Sequence, residues 1–409
     1  MPHDDPRDHR ADSPGGTRRD DPAAAPSAAS AAPAGPRLAP DHDRLDPSSM
    51  LSTEALDRRA VEREHTDLRP GAQLCLVLRG GRLPVSRGRL VLLERAALPE
   101  LRPDPARPEV YLGRIPVAAL AGETAAALTG TASISDAPTA ADVPEAADPQ
   151  ARVDITVRSL DSSHDPLQDT THGVVDESAE QVAVLDRMLA ERAPDHEWTD
   201  LRRAAVALMG SSAEDEALAV AAQAVTAWHL DHPRCPRCGA VTEVRRSGWL
   251  RVCPQDASMQ FPRTDPAIIV TVTDGEPGDP QERVLLGRAA AWPERRFSTL
   301  AGFVEPGESL EQAVRREVHE ESGALVGDVR VLGSQPWPFP RSLMIGCTVR
   351  LEGGRVAPDG LEIAELRWLT RAQLREAAST GELRLPGRVS IARALLEHWN
   401  GEPLPGGDW

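Results

Sequence analysis

The stretch GFVEPGESLEQAVRREVHEESGA, residues 302–324, decides how this chain is read. Its pattern predicts a helix over 309–322. On that helix Glu317, Glu320 and Glu321 stand at i, i+3 and i+4, so three carboxylates share one face. Their repulsion costs stability unless a cation sits among them. An oxygen-only donor set suits a hard ion such as Mg²⁺ or Mn²⁺, which also bridges phosphate oxygens. Gly302 and Gly307 allow a tight loop that brings backbone close to the same ions. Three glutamates alone also fit a solvated acidic face, which is common on helices.

Outward from this segment, strand and helix patterns alternate. Strands are expected at 267–274, 282–289, 298–305, 329–335, 342–352 and 365–370, with further helices near 371–378 and 390–399, which predicts a compact α+β layout. After the glutamates comes Ser334-Gln335-Pro336-Trp337-Pro338-Phe339-Pro340, followed by Arg341 and Ser342. Its three prolines impose a rigid, extended loop, suited to holding a ligand against a defined edge. The competing reading is a packing loop, since Trp and Phe also fill cores. Upstream, Cys235-Pro-Arg-Cys238 is one half of a zinc ribbon, and Cys253-Pro-Gln-Asp256 stands where the other half belongs. The fourth sulfur is missing. Asp256 can supply an oxygen to Zn²⁺, His232 is a rival ligand, and a ribbon that lost its metal and kept its fold by packing is the alternative. Cys75 and Cys347 lie outside the spacing and are expected to be free thiols.

Residues 302–324 fit G-x5-E-x7-R-E-U-x-E-E-x-G-U, with U aliphatic and Ala324 in the last such position. The segment resembles the box of Nudix hydrolases, which cleave a nucleoside diphosphate linked to another group. SQPWPFP is similar to the signature of the NADH pyrophosphatase branch, whose members also carry a four-cysteine ribbon directly before the catalytic domain. The resemblance covers residues 196–400, reaches 51–195 only loosely, and leaves the first 50 unmatched. It implies a Nudix α/β/α sandwich preceded by a zinc-ribbon-like module and an N-terminal β-rich domain. It also implies metal-dependent hydrolysis of NAD(H) to AMP and nicotinamide mononucleotide. Carried over residue by residue, Glu317, Glu321, Glu362 and the Ala301 carbonyl hold Mg²⁺ or Mn²⁺, Glu320 completes the box, and Arg316 orients the glutamates. Phe261 and Phe303 flank the adenine, while Gln335, Pro336, Trp337, Pro338, Phe339, Pro340, Arg341, Ser342 and Ala392 line the substrate. Structural Zn²⁺ falls to Cys235, Cys238, Cys253 and Asp256. Such enzymes also remove the NAD cap from RNA, which makes the capped 5′ end a second substrate, and they are often homodimers. A Nudix activity on ADP-ribose or diadenosine polyphosphates would share the box without a reason to keep SQPWPFP. A non-catalytic nucleotide- or RNA-binding module is disfavoured by the intact box.

The remainder of the chain sets the frame. At 409 residues it exceeds one ordinary core. Sixty-three acidic against 46 basic residues leave a charge of -17, which disfavours a general polyanion-binding surface. There is no lysine, so Schiff-base chemistry and a Walker A loop are excluded. The longest apolar uncharged run, 217–230, is shorter than the roughly 18–25 residues of a membrane helix, so no membrane partner is expected. No secretory signal is visible and five cysteines form no disulfide framework, which points to the cytoplasm. Residues 1–50 read as a disordered tail. Residues 51–195 read as a β-rich domain with strands at 73–80, 88–95, 108–116 and 151–160 and a loose insertion over 121–150. Helices are expected at 178–191, 199–209 and 213–230, the span 196–231 forming a connector. The ribbon takes 232–263, the catalytic domain 264–400, and a tail 401–409.

Overall fold

A computed structural model describes residues 44–46, 50–99, 104–120, 150–160, 179–208 and 211–407. The leucine- and valine-rich runs after Ala72 form a seven-stranded sheet. Its strands are β1 (Leu74–Arg79), β2 (Arg82–Ser86), β3 (Arg89–Leu90), β4 (Leu92–Glu94), β5 (Val110–Pro116), β6 (Arg152–Leu160) and β7 (Glu197–Asp200). The order is β3-β2-β1-β6-β5, with β4 on β1 and β7 on β2, and β1 runs parallel to β6. The expected strand at 88–95 is two short strands. Two others carry no strong signal: β2 contains Pro84, and β7 is the largely polar EWTD, paired through Pro84 opposite Trp198. Thr199 therefore belongs to a strand, and the helix expected to start there begins at Leu201.

The helices of this half are α1 (Glu62–His65), α2 (Ala179–Arg192), α3 (Leu201–Leu208) and α4 (Ala213–Asp231). The apolar run at 217–230 makes α4 a buried core helix. Leu218, Ala222 and Val225 face the sheet, while Val220 faces Leu51, Ala205 and Val389. Among the described residues no helix is long and apolar enough to cross a membrane.

Three short strands follow: β8 (Glu243–Arg245), β9 (Leu250–Val252) and β10 (Met259–Gln260). The last sheet contains β11 (Asp265–Asp274), β12 (Arg283–Ala289), β13 (Leu300–Phe303), β14 (Ala324–Val326), β15 (Arg330–Trp337), β16 (Ser342–Gly354) and β17 (Ile363–Thr370), with α5 (Leu310–Ser322), α6 (Arg371–Ser379) and α7 (Ile391–Asn400). Its order is β14-β16-β11-β12-β17, with β13 on β11 and β15 on β16. Period-two alternation divides β11. Ile268, Val270 and Val272 meet Ala313, Val314 and Val318 of α5, whereas Ile269 meets Ile391 and Leu395 of α7. Helices thus cover both faces, as an α/β/α sandwich requires.

The tail expected over 1–50 ends sooner than its composition suggests. Leu45 and Met50 are buried with Ile269, Leu332 and Ile391, and the Leu45 N–H donates to the Leu332 carbonyl at 3.0 Å. A leucine with an apolar slot to enter gains enough burial to offset its ordering. The rest of that tail, apart from 44–46 and 50, lies outside the described residues, as do positions 121–149 of the expected insertion and the helix ends at 178 and 209. At the other terminus Leu404 folds back into the α6–α7 core, while Gly401, Glu402, Pro403 and Gly406 stay exposed.

Candidate active site

Helix α5 begins at a capping box: Ser309 Oγ accepts the Gln312 N–H, and Gln312 Oε1 accepts the Ser309 N–H at 2.8 Å. It ends at Gly323, whose φ of 67° is left-handed and whose added Cβ would stand 2.6 Å from the Arg355 carbonyl. With Ala313, Val314 and Val318 committed to the core, Glu317 and Glu321 are turned toward β13. There the Glu317 carboxylate lies directly against Gly302, where a methyl group would run into its carboxyl carbon and both oxygens.

Arg316 ties the loop to the helix. Its Nε and Nη2 donate to the two oxygens of Glu308 at 2.6 and 2.9 Å, and Nη1 to Glu317 at 2.9 Å and Glu320 at 3.0 Å. Nη2 also donates to the Phe303 carbonyl at 2.9 Å. The Arg316 guanidinium holds the Glu308 carboxyl down at about 2. Glu320 is the outer, exposed member of the group.

Glu321 is only 6% exposed, and its Oε2 has no hydrogen-bond partner. Burial first, then the charges of Glu317 and Glu362, push its carboxyl up to about 8, opposed by a hydrogen bond from the Ala301 backbone. Glu317 is raised as well, by burial, against the pull of Arg316. The charges of Glu317 and Glu362 thus reach Glu321, and the Ala301 backbone is its hydrogen-bond partner. The structure adds Asp359, whose charge also acts on Glu321 and whose oxygens accept the N–H groups of Glu362 and Ile363. The only sequence signal for Asp359 is its place three residues before Glu362. A buried carboxylate oxygen without a partner, under the influence of further carboxylate charges, suits a divalent cation.

The SQPWPFP loop departs from the expected lining. Gln335 is 0% exposed, and both ends of its amide are taken: Nε2 donates to the Val389 carbonyl and Oε1 accepts the Ile391 N–H, each at 2.8 Å. It clamps β15 to the start of α7 and offers no amide to a ligand. Trp337 and Phe339 meet edge to face at 5.0 Å, with the Arg202 guanidinium 4.3 Å over Phe339. Phe339 packs on the N-terminal sheet core and Trp337 on Leu51, Val220 and Val389. Pro338 and Ser342 are buried, and Arg341 pairs with Asp231 at 2.5 Å and Asp265 at 3.1 Å. The Ala392 side chain is buried beside Leu45 and Met50. These partners lie far off in sequence and hold the loop in place, with Trp337, Phe339 and Arg341 half-buried. Pro336 and Pro340 stay accessible. Phe261 and Phe303 are 51% and 57% exposed, unlike the fully buried Phe297.

Gln335→Ala is accordingly expected to act on stability. It strands the Val389 carbonyl and the Ile391 N–H, at about 1–3 kcal/mol for each. A thermal melt should show a clear drop, and an unchanged midpoint would return Gln335 to the ligand surface.

In the ribbon, both half-sites are built alike. The Gly239 N–H closes a turn onto the Cys235 carbonyl at 2.9 Å, and the Ala257 N–H onto that of Cys253 at 3.0 Å. Cys238 and Asp256 occupy equivalent places, three residues after the first cysteine of each turn. The donor atoms of Cys235, Cys238, Cys253 and Asp256 all lie within 4.8 Å of one another, which fits a tetrahedral Zn²⁺. His232 is outside the cluster: Nδ1 lies 3.0 Å from the Trp228 carbonyl, and the ring stacks on Trp228. Cys75 and Cys347 are buried free thiols, pushed up by burial to about 12 and about 11.

Residues 263–386 match the NUDIX domain, and residues 230–261 match the NADH pyrophosphatase zinc ribbon domain. Over 192 residues the chain is 47% identical to the NAD-capped RNA hydrolase NudC of Mycobacterium bovis (strain BCG / Pasteur 1173P2), covering 44% of this chain and 59% of that relative. Over 200 residues it is 40% identical to the NAD-capped RNA hydrolase NUDT12 of Homo sapiens, covering 46% and 42% respectively. The chain thus spans less than two thirds of the length of these curated relatives.

Proposed function

We propose, on the premise that residues 230–386 join a NADH pyrophosphatase ribbon to a NUDIX domain, that this chain is a metal-dependent diphosphatase acting on NAD(H). It releases AMP and nicotinamide mononucleotide, and it removes the NAD cap from the 5′ end of RNA. The observation that carries this reading is the buried, unpartnered Glu321 oxygen among Glu317, Glu362 and Asp359. Glu317, Glu321, Glu362 and the Ala301 carbonyl would hold Mg²⁺ or Mn²⁺. Bound there, the cations supply neutralisation of the pyrophosphate charge and activation of water. Arg316 keeps the carboxylates converged by bracing Glu308, Glu317 and Glu320 at once. Gly302 leaves the space into which Glu317 folds.

The carboxylates supply chemistry common to any pyrophosphate, so selection has to come from other surfaces. Phe261 and Phe303 present exposed rings to a planar base, a stack worth roughly 1–3 kcal/mol, and Pro336 and Pro340 add rigid edges. Cys235, Cys238, Cys253 and Asp256 hold a structural Zn²⁺. On this reading residues 264–400 form the catalytic domain, 232–263 the ribbon, 196–231 a connector and 51–195 a β-rich domain. The enzyme works as a homodimer in the cytoplasm, and five cysteines of which none is in a disulfide suit a reducing compartment.

Product analysis under Mg²⁺ and Mn²⁺ tests the assignment. NADH should yield AMP and reduced nicotinamide mononucleotide, and NAD-capped RNA a 5′-monophosphate end, both faster than ADP-ribose is split. Faster turnover of ADP-ribose would move the chain to another Nudix activity.

A further inference from the structure

A carboxylate in a thiolate's place raises a geometric problem. Cysteine offers one donor atom on a short arm, whereas aspartate offers two oxygens on a plane that rotates. Some neighbour has to decide which oxygen faces the metal. In this ribbon that neighbour is Ser258. Its backbone N–H donates to Asp256 Oδ1 at 2.9 Å, and its hydroxyl donates to the same oxygen at 2.6 Å. The other oxygen, Oδ2, faces the sulfurs and lies 3.6 Å from Cys235 Sγ. Ser258 is itself fixed. Its carbonyl accepts the Cys253 N–H at 2.9 Å, so the loop is closed back onto the ligand cysteine, and β10 starts at the next residue.

We infer that Ser258 is a positioning residue of the metal site: by occupying Oδ1 it presents Oδ2 alone, so that Asp256 completes the ribbon as a single-oxygen ligand. The inference rests on the reading of the ribbon as a zinc site and adds how a three-sulfur set is completed. The Ser258 hydroxyl also lies 3.4 Å from Cys235 Sγ, so zinc affinity here depends on Ser258 through Asp256 and, to a smaller extent, through that sulfur.

The test uses the full chain, with Zn²⁺ affinity measured by competition with a chromophoric chelator and Co²⁺ absorption as an independent report on the donor set. Ser258→Ala should lower Zn²⁺ affinity about 10- to 100-fold, the usual loss when an outer partner of a ligand is removed. Ser258→Thr should restore it. Asp256→Cys should strengthen the sulfur-to-cobalt charge-transfer band, and in that background the loss caused by Ser258→Ala should shrink to the small part carried by its contact with Cys235 Sγ. The double variant also covers the case in which Ser258→Ala alone folds poorly. Wild-type chain that takes up neither metal would overturn the zinc reading itself. Tight Zn²⁺ binding that falls with Asp256→Ala but stays within twofold in Ser258→Ala would overturn the role of Ser258 and leave the zinc reading standing.

Discussion

Glu321→Gln is expected to abolish hydrolysis while the protein melts at the same temperature or higher. Glu321 carries the one carboxylate oxygen of the cluster found buried without a partner, so the amide fills the same space and removes only charge. Loss of a preorganised electrostatic group costs about 3–4 kcal/mol in the barrier, on the order of 10²- to 10³-fold in kcat. Stability should move the other way. In the metal-free protein the carboxyl is raised from its ordinary 4.5 to about 8, so the folded state holds the proton more tightly than the unfolded chain does. This carboxyl therefore costs the metal-free protein stability as pH rises from 4.5 toward about 8, and the glutamine removes that loss. Melting curves at several pH values, with and without Mg²⁺, measure both effects. Near wild-type turnover of NADH by the variant would sink the assignment of the carboxylate cluster.

Gly302→Ala should be nearly as damaging to rate and almost silent in stability. Its methyl group meets the carboxyl end of Glu317, a flexible side chain that can swing away without moving backbone. Within a strand alanine is no worse than glycine. The fold should therefore survive while Glu317 leaves its place, and a displacement near 1 Å costs on the order of 10²-fold in rate. Glu317→Asp, which shortens the arm by one methylene, should recover part of the loss in the Gly302→Ala background. An unimpaired Gly302→Ala enzyme would mean that Glu317 need not sit against β13.

The parts of the site legible in the sequence are those whose geometry is local. Helical spacing places Glu317 and Glu321 on one face, and both half-ribbons can be read from a three-residue step. What escaped reading depends on partners remote in the chain. Gln335 looks like a ligand-facing amide until Val389 and Ile391, more than 50 residues on, take both its ends. Trp337 and Phe339 read as a recognition surface, yet Leu51 packs against the first and the Arg202 guanidinium sits over the second. The polar β7 is a strand because β2 offers it an edge, which no property of Glu197–Asp200 announces. Ser258 carries no motif at all, and only the unequal treatment of the two Asp256 oxygens marks it.

The docking of Leu45, Met50 and Leu51 bears on how such enzymes can be cut and recombined. These three side chains seal Ile269, Leu332, Ile391 and Val389, which belong to the catalytic sandwich. The described residues from 44 to 407 accordingly form one compact unit. A fragment starting at residue 264 would carry an open greasy patch on the outside of β15 and α7, the kind of surface that drives proteins out of solution. Domain grafts should therefore keep the segment from Arg44 onward. For the same reason, substitutions at positions 45–51 are a route by which a lineage could retune the rear wall of the catalytic sheet without touching a single acidic side chain.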